Sequence, residues 1–390
     1  MTHPSTLSCV SQEVTYTLSA FAIALLTLAN CSRTSPPRGG AQQAALLRTV
    51  PGSDATPLRD KLGVNYTWAA DKRIVTDDTA QLSGAFRHVR YFLMTEKDYD
   101  GGWPATTTPA PCLNTENPWK CPELSLRQHL VRVLKLRELF PRGYIWLAPE
   151  VIGGKTWPCK GWAVEELGNS AEQAGYNWAK AALATYGQVE GVILAMTNEE
   201  WCAESGRVEA YNQWRRGFIR AHRENPSCAI AVGARHVRPR EWKGERMPDG
   251  VGDVAPDVWA YVDSVGGWAD YHAHGIEAGK FLPHGRATEA TDYADFFAWS
   301  AWLDERYLHI RKSVGEIAYT TSEPGQVATD EQKRADWPTY AKLIRGLAAE
   351  ADLVFLYQIE DHSAPEGAFS GSGVYPALVP QVKALGRQAP

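Results

Sequence analysis

From residue 60 onward, short apolar runs alternate with longer segments in which apolar residues recur at three- and four-residue spacing. The short runs are LGVNY (62–66), HVRYFL (88–93), YIWLAP (144–149), GVILAMTNE (191–199), AIAVGA (229–234), ADYHAH (269–274), EIAYTTSE (316–323) and DLVFLYQIE (352–360). They are rich in β-branched and aromatic residues and predict strands. Between them, LRQHLVRVLKLRELF (126–140), AEQAGYNWAKAALATY (171–186), VEAYNQWRRGFIRAH (208–222) and PTYAKLIRGLAAEA (338–351) carry helical periodicity.

Eight strands alternating with helices predict an α/β chain built as a single (β/α)8 TIM barrel over residues 59–388. A doubly wound open sheet would want a glycine-rich phosphate loop after its first strand, and LGVNYTWAAD has none. A barrel collects its chemistry at the C-terminal ends of its strands. Those ends read Arg90, Glu150, Asn198-Glu199, Arg235-His236, His272 and His274, Glu323, and Gln358 with Glu360. So many polar ends exceed what a structural barrel requires.

The fourth and seventh ends matter most. Thr197-Asn198-Glu199 and Thr321-Ser322-Glu323 come from strands on opposite sides of an eight-stranded barrel, so their carboxylates would face each other across its mouth. A glycosidase needs that geometry: one carboxyl protonates the leaving oxygen, and the other attacks the anomeric carbon or activates water from the opposite face. With these residues in place, the chain resembles the clan A glycoside hydrolases, the retaining (β/α)8 β-glycosidases and glycanases. The resemblance covers roughly residues 60–385. It implies that Glu199 is the acid/base and Glu323 the nucleophile, with a separation of ~5–5.5 Å for retention. It implies that Asn198 donates to the sugar 2-hydroxyl and that Arg90 holds the nucleophile. His272 or His274 takes the clan's strand-six position, and Tyr357 stands where the clan places a strand-eight Trp.

Composition adds detail. The chain contains 15 Trp and 16 Tyr, which suits a protein that stacks flat faces on sugar rings. Trp68 and Trp201 are candidate platforms near strand ends, as are Trp103, Trp157 and Trp268. The net charge is −5, with no basic tract, which gives nucleic acid no partner surface. Residues 18–30, LSAFAIALLTLAN, suit the apolar core of an export signal covering residues 1–31. The sequence LANC ending at Cys31 resembles a lipoprotein cleavage box, in which the Cys is lipidated and tethers the chain to a membrane. Residues 32–58, rich in Ser, Pro, Gly and Arg, read as a flexible tether. The expected location is therefore periplasmic, cell-surface or extracellular. Cys112 with Cys121, and Cys159 with Cys202, are candidate disulfides, and Cys228 a buried thiol.

Other readings compete. Glu200 adjoins Glu199, and neighbours on a strand face opposite ways, so only one faces the lumen without distortion. If Asn198 and Glu199 both meet the sugar, the strand end must bulge or twist. His272 and His274 at i, i+2 also present themselves as two metal ligands would, which defines a metal-dependent barrel hydrolase as one alternative. A carbohydrate-binding barrel without catalysis is another. The favoured expectation is a monomeric hydrolase acting on a carbohydrate substrate without metal or cofactor.

Overall fold

The computed structural model describes residues 57–66, 82–93, 122–149, 151–153, 162–163, 170–198, 208–233, 241–242, 245–246, 254–272, 276–277, 280–281, 294–318, 329–357 and 377–388. Eight strands form a closed barrel: β1 (Leu62–Tyr66), β2 (His88–Leu93), β3 (Ile145–Pro149), β4 (Val192–Ala195), β5 (Ala229–Gly233), β6 (Trp268–His272), β7 (Arg311–Ala318) and β8 (Leu353–Tyr357). Each pairs in parallel with its sequence neighbours, and β8 closes on β1 through Leu62 opposite Val354 and Gly63 opposite Phe355. The connecting segments carry α1 (Pro122–Leu139), α2 (Ala171–Tyr186), α3 (Val208–Glu224), α4 (Pro256–Ser264), α5 (Ala294–Arg306) and α6 (Asp330–Glu350), and α7 (Val379–Leu385) follows β8. Backbone bonds from Leu58 to Gln388 and from Arg59 to Gly386, both 3.0 Å, tie the start of the barrel to its end.

Strand alternation produces two cores. Val89, Tyr91, Leu93, Leu194, Val314 and Leu356 point outward and pack beneath the helices. Trp146, Ala148, Ile193, Ala195, Ala231, Trp268, Leu353 and Phe355 point inward and fill the lumen. Helices α2 and α3 cross closely because Gly175 and Gly217 leave no side chain between them. A Cβ on Gly175 would strike the Trp214 carbonyl, and one on Gly217 the Glu172 carbonyl.

Two boundaries depart most from the sequence pattern. Helix α6 begins at Asp330 rather than at Pro338, behind a capping box in which Thr329 and Gln332 bond reciprocally, and Pro338 lies within it. Strand β7 spans Arg311–Ala318 rather than 316–323. Gly315 breaks the apolar run and reads as punctuation in the sequence. In the fold it sits inside the strand at a bulge, where the register against β6 and β8 shifts by one residue.

Tryptophan is used more for packing than composition alone suggests. Trp146, Trp178, Trp214, Trp259, Trp268 and Trp299 are fully buried. Trp268, expected as a stacking platform, is a lumen core residue. Cys228 is half-buried and free among the described residues. The leader, residues 32–56 of the tether and the four candidate disulfide cysteines lie outside them, whereas Leu58, the last residue expected in the tether, is buried in the core.

Candidate active site

The polar part of the lumen is centred on side chains from the even strands. Arg90 on β2, Asp270 on β6 and Asn198 just beyond β4 are at most 2% exposed. Arg90 Nη1 donates to Asp270 Oδ2 at 2.6 Å, and Arg90 Nη2 donates to Asn198 Oδ1 at 2.6 Å. Strands β2 and β6 lie opposite each other, so the ion pair spans the barrel. A guanidinium taken wholly out of water demands such a counter-charge. Ser313 on β7 donates its hydroxyl to Asp270 Oδ1.

Asn198 reaches this network because the chain leaves regular strand geometry. Ile193 and Ala195 face the lumen, and Met196 faces the helices. Strict alternation would then turn Asn198 outward. Instead the backbone bends at Met196 and Asn198. Met196 N–H bonds to the Ala231 carbonyl at 2.8 Å and Asn198 N–H to the Pro149 carbonyl at 2.9 Å. Gly233 makes room, since a Cβ there would lie 3.1 Å from Thr197 Oγ1 and 3.2 Å from the Asn198 carbonyl.

On the far side, the β7 bulge presses on the same guanidinium. A Cβ on Gly315 would meet Arg90 Nη1 and lie 2.6 Å from Asp270 Oδ2. Asn65 on β1 donates to the Gly315 carbonyl at 2.9 Å and holds the bulge in place. Val314 and Ile317 both pack outward, which turns Glu316 to the lumen. Glu316 is 2% exposed and registers opposite His272.

Of the residues expected from sequence, Arg90 and Asn198 are therefore brought together. For His272 and Tyr357 the backbone alone is described, at the last positions of β6 and β8. Glu199, Glu323, His274, Trp68 and Trp201 lie outside the described residues. Among the described residues no group of three or more His, Cys, Asp or Glu could hold a metal ion. The sequence reading overlooked Asp270, Ser313 and Glu316. Asp270 and His272 share a spacing of two on β6, so the signal for Asp270 was present. Glu316 was hidden by the misplaced strand.

No family profile and no curated protein matches the sequence. Solved structures do. One is a GH5-4 broad specificity endoglucanase from an uncultured bacterium, 13% identical, with a TM-score of 0.50 over 85% of this chain and 95% of that one. Another is a glycoside hydrolase family 5 enzyme from Prevotella bryantii B14 in complex with a xyloglucan tetradecasaccharide, 12% identical, with a TM-score of 0.50 over 86% of this chain and 98% of that one. The chain shares the fold of these two enzymes, here a closed (β/α)8 barrel. In that barrel, Asn198 just beyond β4 and Gly315 within β7 converge on one buried guanidinium.

Proposed function

We propose that the protein is a retaining glycoside hydrolase acting on a β-linked glycan, with β-linked glucans and xyloglucan the first substrates to test. One observation carries the reading. Asn198 bonds to Arg90 and is followed directly by Glu199; Gly315 packs on Arg90 and is followed directly by Glu316. The residues that precede two carboxyl residues in the chain, one just beyond β4 and one on β7, thus meet a single guanidinium. Glu199 serves as the acid/base. An acid catalyst must stay protonated until it donates to the leaving oxygen, and a second carboxylate in the same site favours that state. The second carboxylate attacks the anomeric carbon, and Glu199 then activates the water that releases the sugar.

The nucleophile has two readings. Sequence resemblance assigns it to Glu323, five residues beyond Ala318, which closes β7. The burial of Glu316, next in the chain to the Gly315 that packs on the Arg90–Asp270 pair, favours Glu316. Alanine variants at both positions, assayed on an activated aryl β-glycoside with and without azide, separate them. The nucleophile variant should lose at least about 10³-fold in kcat and regain turnover with azide as a glycosyl azide forms. Full activity in both variants would sink the retaining pair. Sugar binding without turnover across a glycan panel would favour the carbohydrate-binding alternative. We further read residues 1–31 as an export signal, on the apolar run before Cys31. The mass of the mature N-terminus in the exporting host checks it: an unprocessed Met1 contradicts export, and a diacylglyceryl adduct on Cys31 identifies the lipid anchor.

A further inference from the structure

The resemblance to glycoside hydrolases implies that Asn198 holds the sugar 2-hydroxyl, and the structure shows what holds Asn198. We infer that Asp270 and Ser313 are positioning residues that act on the substrate through Arg90 and Asn198. The inference rests on the glycosidase reading above and names the part of the site that sets its selectivity for the 2-hydroxyl.

The chain of contacts runs in one direction. The Ser313 hydroxyl donates to Asp270 Oδ1, Asp270 Oδ2 accepts from Arg90 Nη1 at 2.6 Å, and Arg90 Nη2 donates to Asn198 Oδ1 at 2.6 Å. A guanidinium has donors only, so the Asn198 atom that faces it is the amide oxygen. That settles the amide orientation, which electron density alone often leaves open in other proteins. With its oxygen fixed on Arg90, the amide directs its NH2 end the other way. Donation to a hydroxyl oxygen requires that orientation.

Asp270 is what makes the orientation rigid. Arg90 also lies against the Trp146 ring at 5.7 Å and the Phe92 ring at 5.8 Å, faces that restrict its plane but not its rotation within that plane. The carboxylate supplies the in-plane restraint, and the Ser313 hydroxyl fixes the carboxylate. Gly315 leaves no side chain to wedge between the pair. All of these groups are buried, so water does not compete for the bonds. A preorganised donor of this kind strengthens as charge develops at the sugar and needs no rearrangement during the reaction.

The test uses two probes, dinitrophenyl β-cellobioside and its analogue lacking the 2-hydroxyl on the sugar next to the aryl group. Asp270→Asn should lower kcat/KM on the first by about 10²-fold, mostly in kcat, and on the 2-deoxy glycoside by less than about threefold, because Asn198 has no hydroxyl to hold there. Ser313→Ala, a milder change that keeps the charge pair, should show the same selectivity at about fivefold. Equal losses on both glycosides in both variants overturn the inference, since a merely structural role does not distinguish them. A second readout is independent of turnover. The side-chain amide resonances of Asn198 in 15N-Asn-labelled protein, identified by their loss in Asn198→Asp, should move and exchange faster with water in Ser313→Ala. Unchanged resonances overturn the inference. If the wild type cleaves neither glycoside, the glycosidase reading fails on its own, and the resonances alone decide the positioning chain.

Discussion

The lower and upper halves of the barrel lumen are built from opposite materials. Below, rings interlock: His88 stacks on Tyr144 at 5.3 Å, Tyr144 meets Trp268 edge-on at 5.5 Å, Trp268 meets Trp146 at 5.9 Å, and Trp146 meets Phe355 at 5.8 Å. Above, a guanidinium, a carboxylate, a hydroxyl and an amide are joined by short hydrogen bonds. The same strands supply both halves; β2 alone provides His88 and Arg90. The rings supply apolar burial and exclude water. The network above is held by charge in the dry space that the rings maintain. Arg90 rests on the Trp146 ring, so the halves meet at that contact. The lower half can therefore be probed by stability and the upper half by rate.

The largest stability effect is expected from Trp146→Ala. The indole is fully buried and borders Trp268, Phe355 and Arg90. Its loss leaves a large cavity and should cost about 3–5 kcal/mol in urea unfolding. A loss under about 1 kcal/mol would show that the ring layer does not carry the barrel.

His88 comes next. Tyr144 N–H donates to His88 Nδ1 at 2.9 Å, so the proton sits on Nε2, which donates to the Asp60 carbonyl at 2.8 Å. Protonation would set a second N–H against the Tyr144 donor. Burial, reinforced by Arg87 and Arg137, lowers the His88 pKa from 6.5 to about 4. The folded state thus binds fewer protons than the unfolded chain between these values. The contribution is fully present above pH 6.5 and is lost as pH falls toward 4, a total of ~3 kcal/mol. The difference in unfolding free energy between wild type and His88→Asn, followed from pH 7 to pH 4, isolates it. A difference that does not change with pH contradicts the buried neutral imidazole.

The two halves were not equally legible in the sequence. The barrel was readable because period-two and period-3.6 patterns alternate cleanly along the chain. Strands β1 and β2 begin and end where the apolar runs do. Arg90 was legible as a charge inside an apolar run and Asn198 as a polar residue closing one. The irregular places were not. Gly315 reads as a break, yet tertiary contacts with Arg90 and Asp270 require a glycine inside a strand. With the strand at 311–318, Glu316 lies inside it and becomes a second candidate beside Glu323. Asp270 shares a face of β6 with His272, so its lumen position is legible, but its partner Arg90 lies 180 residues away and no local pattern names it. Helix α6 was shortened because Pro338 resembles a helix start, while the capping box at Thr329 is the start the fold uses.

The smallest stability change should come with a rate change out of proportion to it, at Gly315→Ala. Gly315 is not among the positive-φ glycines, which are Gly191 and Gly266 among the described residues, so alanine is opposed by space alone. Its methyl would press on Arg90 Nη1 and lie 2.6 and 2.7 Å from the Asp270 carboxylate oxygens. Overpacking of one methyl should cost about 1–3 kcal/mol. The displaced guanidinium carries Asn198 with it, and the following residue is Glu316. A shift near 1 Å at a catalytic constellation is worth roughly 10²-fold in rate. Trp146→Ala should therefore lose more stability, and Gly315→Ala more kcat for each kcal/mol of stability lost. Urea unfolding and steady-state kinetics on the same two proteins check this together. If Gly315→Ala keeps wild-type kcat while losing stability, the upper lumen is packing like the lower, and the division between the two halves is wrong.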